Sequence, residues 1–187
     1  MKIKKKEIIG VDEAGRGPLA GPVFAGAAFI RREPSFLSEI KDSKKIGEKK
    51  REEIFNKITN SNDVLVSIAS VGPQVIDEIN ILEATKLAMK KAVDGISEKG
   101  LVIIDGNFSI PIDREQKSII KADEKILECS IASIVAKVSR DRVMREFDEK
   151  HPGYDFSGHK GYPTKRHKEA IKRLGPCPIH RKSFKCT

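Results

Sequence analysis

The stretch IIGVDEAGRGPLAGPVFAGAAFI, residues 8–30, decides how the rest of the chain is arranged. Its first four residues are apolar and mostly β-prone, which predicts a short buried strand over 8–11. That pattern stops on two adjacent carboxylates, Asp12 and Glu13. Gly15, Arg16, Gly17 and Pro18 follow as a turn in which two residues lack a side chain. Backbone N–H groups there can come close to a ligand, with a guanidinium beside them. The apolar run 23–30 predicts a second buried strand and places 12–18 at the rim of a sheet. Taken singly, the acidic pair reads as a solvated strand end and the Gly-Arg-Gly turn as an ordinary turn. Their combination in a basic chain points to a site.

A chain of 187 residues predicts one domain that buries roughly 70% of its unfolded surface. Lys and Arg number 36 against 27 Asp and Glu, a formal charge of +9 that suits a polyanionic partner. Aromatic residues make up only 5%, with no Trp, which argues against an extended base-stacking platform and for contacts to phosphate and sugar. Cys129, Cys177 and Cys186 form an odd set without a CxxC, as expected in a reducing compartment. Cys177 and His180 have zinc-ligand spacing but lack a second pair. The apolar part of MKIKKKEIIG is too short for a signal peptide, and the longest uncharged run, 17–30, is too short for a membrane helix. The expectation is a cytoplasmic monomer without a membrane partner.

Further along, helical spacing of Ile54, Phe55 and Ile58 predicts a helix over 48–58, and 64–71 alternates as a third strand. Three early strands suggest an antiparallel meander. A helix over 80–96 separates them from a short apolar strand, 101–104, that ends at Asp105. A strand, helix, strand unit implies parallel pairing, which lays this strand beside the first and brings Asp105 near Asp12. Residues 106–116 read as a loop, 118–121 as a brief strand leading to Asp123, and 126–150 as the longest helix. On that helix Ser130, Ser133, Lys137 and Arg140 share one face, which suits either a phosphate or a plain polar surface. The part 151–187 is loop-rich and basic, with Thr164 capping a last helix over 165–174.

This topology collects Asp12, Glu13, Asp105 and Asp123 at one sheet edge. Two like charges ~5 Å apart at an effective dielectric of about 20 repel by roughly 3 kcal/mol, so such a group must be protonated or bind a cation. An all-oxygen donor set favours Mg2+, with Mn2+ as a substitute. Hydrolysis of a phosphodiester is the reaction such a carboxylate cluster serves best.

The motif GVDEAGRGPLAGPV at 10–23 resembles the opening of the ribonuclease HII family, the type 2 ribonucleases H. Further matches follow in the same order: DSKK at 42–45, NILEAT at 80–85, IDG at 104–106, KAD at 121–123, SIASIVAKVSRDRVM at 130–144, HKGYPTKRH at 159–167 and HRKSF at 180–184. The resemblance implies an α/β protein of ribonuclease H-like fold, a five-stranded mixed sheet flanked by helices with a small helical C-terminal part. It implies that Asp12, Glu13, Asp105 and Asp123 hold Mg2+ or Mn2+. The implied reaction is cleavage of RNA in RNA/DNA hybrids and at ribonucleotides embedded in duplex DNA, leaving 5′-phosphate and 3′-hydroxyl ends. Gly15, Arg16 and Gly17 would read the 2′-hydroxyl, which alone tells RNA from DNA at a given site, and Tyr162 would pack at the ribose. Ser43, Lys44, Ser130, Ser133 and Lys137 are candidate phosphate contacts. Glu128 and Cys129 depart from the small residues common in the family before the Ser-Ile-Ala run. The end soon after Phe184 is read as lacking an extra C-terminal helix, with a weaker substrate grip expected. A sliding-clamp partner is not readable.

Two rival readings remain. A nucleic-acid-binding module without catalysis would leave the carboxylates as surface groups. A phosphate-binding NTPase would use the Gly-rich turn, but GRGPLAG lacks the lysine and Ser/Thr ending such a loop requires.

Overall fold

The structure, a computed structural model, describes residues 7–41 and 47–185. Strands β1 (Ile8–Ala14), β2 (Val23–Ile30), β3 (Val64–Val71), β4 (Leu101–Asp105) and β5 (Gln116–Ile119) form one sheet in the order β3-β2-β1-β4-β5. The pairs β1 with β2 and β2 with β3 are antiparallel, whereas β1 with β4 and β4 with β5 are parallel. The expected meander and crossover are therefore both present, in a mixed five-stranded sheet.

Side chains alternate across this sheet and build two cores. Ile9, Val11, Val102 and Ile104 face α3 (Pro73–Asp94), while α4 (Leu127–Lys150) covers the other face together with α1 (Leu37–Lys41) and α2 (Glu48–Thr59). The approach of α4 is close because β1 offers no side chain at Gly10. A Cβ there would stand 2.2 Å from the backbone N of Cys129. A smaller apolar cluster of Met144, Tyr154, Phe156, Ala170 and Ile179 joins the end of α4 to α5 (Phe156–His159), α6 (Lys165–Leu174) and the chain end.

Several boundaries differ from expectation for identifiable reasons. β1 does not stop at the acids: its antiparallel ladder continues through Glu13 opposite Ala25 and Ala14 opposite Phe24. The fifth strand lies two residues earlier than the 118–121 expected, because pairing with β4 begins at Val102 opposite Gln116. The helix expected from residue 80 is the second part of a longer one, kinked at Asn80 with φ 67° and ψ 166°. α1 has no counterpart among the expected elements. α6 begins as expected, with the Thr164 hydroxyl accepting from the His167 N–H at 3.2 Å. Among the described residues no helix is long and apolar enough to cross a membrane.

Candidate active site

Register places the first two acids side by side. Val11 pairs with Ile104 on the parallel strands β1 and β4, so the next residue on each is Asp12 and Asp105. Both have the parity of Gly10 and Ile103, the residues under α4, and so share that face. The third acid arrives by a tight turn. After β5, Lys121 takes a left-handed conformation at φ 57° and starts a 3-10 turn, Ala122–Glu124, that carries Asp123. The Ala122 N–H donates to Asp105 Oδ1 at 3.1 Å and ties this turn to β4. Asp12, Asp105 and Asp123 each offer a carboxylate oxygen, and these atoms lie within 4.8 Å of one another.

Glu13 stands outside that group of three but lines the adjoining cleft together with Ser133 and Lys137 of α4. It is still close enough to feel the charge of Asp105. Its Oε2 is buried without a hydrogen-bond partner, while Oε1 accepts from Arg16 Nη1 at 3.4 Å. Burial, followed by the charge of Glu13, pushes the Asp12 carboxyl well above its usual range. The Ser133 hydroxyl and the Glu13 N–H, which donates to Asp12 Oδ1 at 2.7 Å, oppose that shift only in part. Burial raises Glu13 as well, against the pull of Arg16. Crowded, desolvated carboxylates with an unsatisfied buried oxygen beside them are a donor set that fits a hard divalent cation.

A cleft adjoins the acids, lined by Gly15, Arg16 and Gly17 on one side, Ser133, Lys137 and Asp141 from α4, and Tyr162. Tyr162 is 43% exposed, and its ring lies over the Arg140 guanidinium at 5.7 Å. Arg16 stacks over Phe108 at 5.5 Å, and Lys137 pairs with Asp141 at 3.3 Å. The structure thus brings Gly15, Arg16, Gly17, Ser133, Lys137 and Tyr162 together. Ser130 is buried on α4 and does not line the cleft. Arg140, placed by helical spacing with the phosphate candidates, also lines the cleft, but it is buried and its guanidinium is taken up by backbone carbonyls. Ser43 and Lys44 lie outside the described residues. Sequence reasoning missed Arg181, whose side chain reaches back to the carbonyls of Gly15, Arg16 and Gly21. Its only signal was the HRKSF motif, matched but given no role.

A family model described as Ribonuclease HII matches residues 9–187. The ribonuclease HII of Acetivibrio thermocellus is 51% identical over 96% of this chain and 70% of its own length. Among solved structures, the ribonuclease H2 of Pyrococcus horikoshii superposes with a TM-score of 0.76 at 31% identity, covering 96% of this chain and 94% of the other. The ribonuclease HII of Archaeoglobus fulgidus, solved as a complex with PCNA, gives 0.79 at 26% identity over 94% and 92%.

Proposed function

The chain belongs to the ribonuclease HII family and is a metal-dependent endonuclease of the ribonuclease H type; we propose that it cuts the RNA strand of RNA/DNA hybrids and single ribonucleotides embedded in duplex DNA. The observation that carries this reading is the meeting of Asp12, Asp105 and Asp123 beside the cleft formed by Gly15, Arg16, Gly17 and Tyr162.

In this reading Asp12, Asp105 and Asp123 hold Mg2+ or Mn2+, with Glu13 completing the set through its unsatisfied oxygen. Bound there, a divalent cation would supply the Lewis acidity that activates water and offsets charge on the scissile phosphate and the leaving 3′ oxygen. The protein's own part is positioning. Ser133 and the Glu13 amide orient Asp12, and the Ala122 amide orients Asp105, so the carboxylates need little rearrangement. Arg16 and Lys137 bring positive charge to a rim whose acids would otherwise repel a polyanion. On the far side, the Gly-Arg-Gly backbone approaches a 2′-hydroxyl and the exposed Tyr162 ring packs against the ribose. Under this reading the products carry 5′-phosphate and 3′-hydroxyl ends.

The test is incubation of a duplex carrying one ribonucleotide with the protein and Mg2+, followed by analysis of the product ends. Cleavage at the ribonucleotide, stopped by EDTA and restored by Mg2+ or Mn2+, is the expected result. Undiminished cutting in chelator would remove the metal from the reading. Asp105→Asn should reduce cleavage to background while retaining duplex binding, which separates an enzyme from a binding module.

A further inference from the structure

Two buried guanidiniums lie behind the loop formed by residues 15–22. Arg140, 2% exposed, donates from Nε to the Pro22 carbonyl at 3.1 Å and from Nη2 to the Ala20 and Lys160 carbonyls at 3.3 and 2.9 Å. Arg181, 1% exposed, donates from Nε to Gly21 at 2.9 Å, from Nη1 to Arg16 at 3.0 Å and from Nη2 to Gly15 at 2.6 Å, all backbone carbonyls. Five of these six acceptors belong to the loop.

The acids whose charge reaches the pair are engaged elsewhere. Asp141 pairs with Lys137, and Asp77 accepts from the N–H groups of Lys182 and Ser183. Carbonyl dipoles are therefore the main compensation for two buried cations that also repel each other. Burial, then the charge of Arg140, brings Arg181 down to about 9, which leaves it cationic at neutral pH. A buried charge without a paired anion is costly and strongly constrains its surroundings.

The constraint falls on the cleft. A trans peptide is planar, so a Gly15 carbonyl aimed at Arg181 turns the Arg16 N–H the opposite way, and the Arg16 carbonyl does the same for the Gly17 N–H. At Gly15 the chain runs at φ +96°, and the Arg140 Nε lies 2.1 Å from where a Cβ would stand. Arg140 also underlies the Tyr162 ring and holds the carbonyl of Lys160, two residues before it. The pair therefore joins both walls of the cleft without lying in the acid cluster.

We propose that Arg140 and Arg181 are positioning residues, which lock the 15–22 loop with the Arg16 and Gly17 amides turned toward the cleft and thereby set its preference for ribose over deoxyribose. This rests on the reading of the cleft given under Proposed function. A lysine keeps the charge in either position but lacks the planar fork that spans several carbonyls.

The experiment measures affinity for a duplex with one ribonucleotide and for the all-DNA duplex of the same sequence, in the cleavage-deficient Asp105→Asn protein. Arg140→Lys and Arg181→Lys should each lower the ratio of the two affinities about tenfold, a loss of roughly 1.4 kcal/mol in discrimination, while circular dichroism reports a folded protein. An unchanged ratio in the folded variants would overturn the proposal. Tyr162→Ala and Gly17→Ala serve as controls. If they lower the ratio and the lysine variants do not, the clasp alone fails; if none of the four lowers it, the ribose-reading cleft fails. Should both lysine variants unfold, amide NMR of the Asp105→Asn protein decides: the Arg16 and Gly17 N–H resonances should shift with the ribonucleotide duplex and not with the DNA duplex. Equal response to both would sink the idea.

Discussion

Asp12 is 7% exposed and sits beside two other carboxylates, so its ionised form is held against both desolvation and repulsion. With the folded pKa raised above the unfolded value, ionisation at neutral pH costs stability that a bound cation returns. Asp12→Asn should therefore raise the Tm of the metal-free protein, by about 2–4 °C for each ~1 kcal/mol relieved, while ending cleavage. A thermal scan in EDTA showing a lower Tm would mean that the repulsion is not a cost to the fold. The glycines of the neighbouring turn are not equivalent. A Cβ at Gly15 meets the Arg140 guanidinium in a left-handed backbone, whereas at Gly17 its nearest contact is Tyr162 at an ordinary 3.7 Å. Gly15→Ala should destabilise by about 1–3 kcal/mol. Gly17→Ala should change stability by less than about 0.5 kcal/mol yet impair cutting at a lone ribonucleotide. Urea denaturation and cleavage assays on the two variants separate these effects. The acids were legible because each follows an apolar strand or a short turn. Arg181 was not: a lone arginine in a polar tail looks solvated, and only folding brings it to Gly15.

Element boundaries were legible where local chemistry marks them. Thr164 announces α6, and the alternation of 64–71 fixes β3. They were missed where tertiary pairing decides, as in the continuation of β1 past its carboxylates alongside β2. α3 shows both cases. Its second part starts at Asn80, whose Oδ1 accepts from the N–H groups of Leu82 and Glu83 at 2.9 and 3.2 Å, a cap at the kink. The turns before it, beginning at Pro73, carry too few apolar positions at regular spacing to be recognised alone. Asn80→Ala loses the cap and keeps the cost of a positive φ, so it should lower stability by about 1–2 kcal/mol. Asn80→Gly also loses the cap but escapes the steric penalty, and its loss should be smaller. Equal losses in urea denaturation would show that the backbone at the kink is unstrained.

Across the whole molecule, the parallel placement of β4 beside β1 followed from the crossover rule, and it is this long-range pairing that unites acids from distant parts of the chain. The return of the chain end onto the 15–22 loop had no such rule behind it. Besides Arg181, it is secured by histidines whose hydrogen bonds fix their tautomers. The Cys177 N–H donates to His180 Nδ1 at 2.9 Å, and the His180 and His167 Nε2 atoms face each other at 3.1 Å. His167 Nδ1 in turn reaches the Tyr162 carbonyl at 2.9 Å. A single proton lies between the two Nε2 atoms when both rings are neutral: His180 donates it, leaving His167 Nδ1–H for Tyr162. A second proton there would set two N–H groups against each other. The His159 ring stacks on His167 at 4.2 Å, with Phe156 and Tyr154 packed around the group and the charge of His151 also reaching His180. Burial accordingly lowers His167 to about 4 and lowers His180 as well. Below the unfolded value near 6.5 the unfolded chain takes up protons that the native state refuses, so stability should fall as pH drops from about 6.5 toward 4 and level off below. The raised carboxylates of Asp12 and Glu13 act in the opposite direction. Comparing the pH dependence of Tm for the wild type and His167→Gln cancels their part. The variant should lose a share of the acid slope between pH 6.5 and 4, and parallel curves would mean that the histidine group does not tie the chain end to the Tyr162 loop.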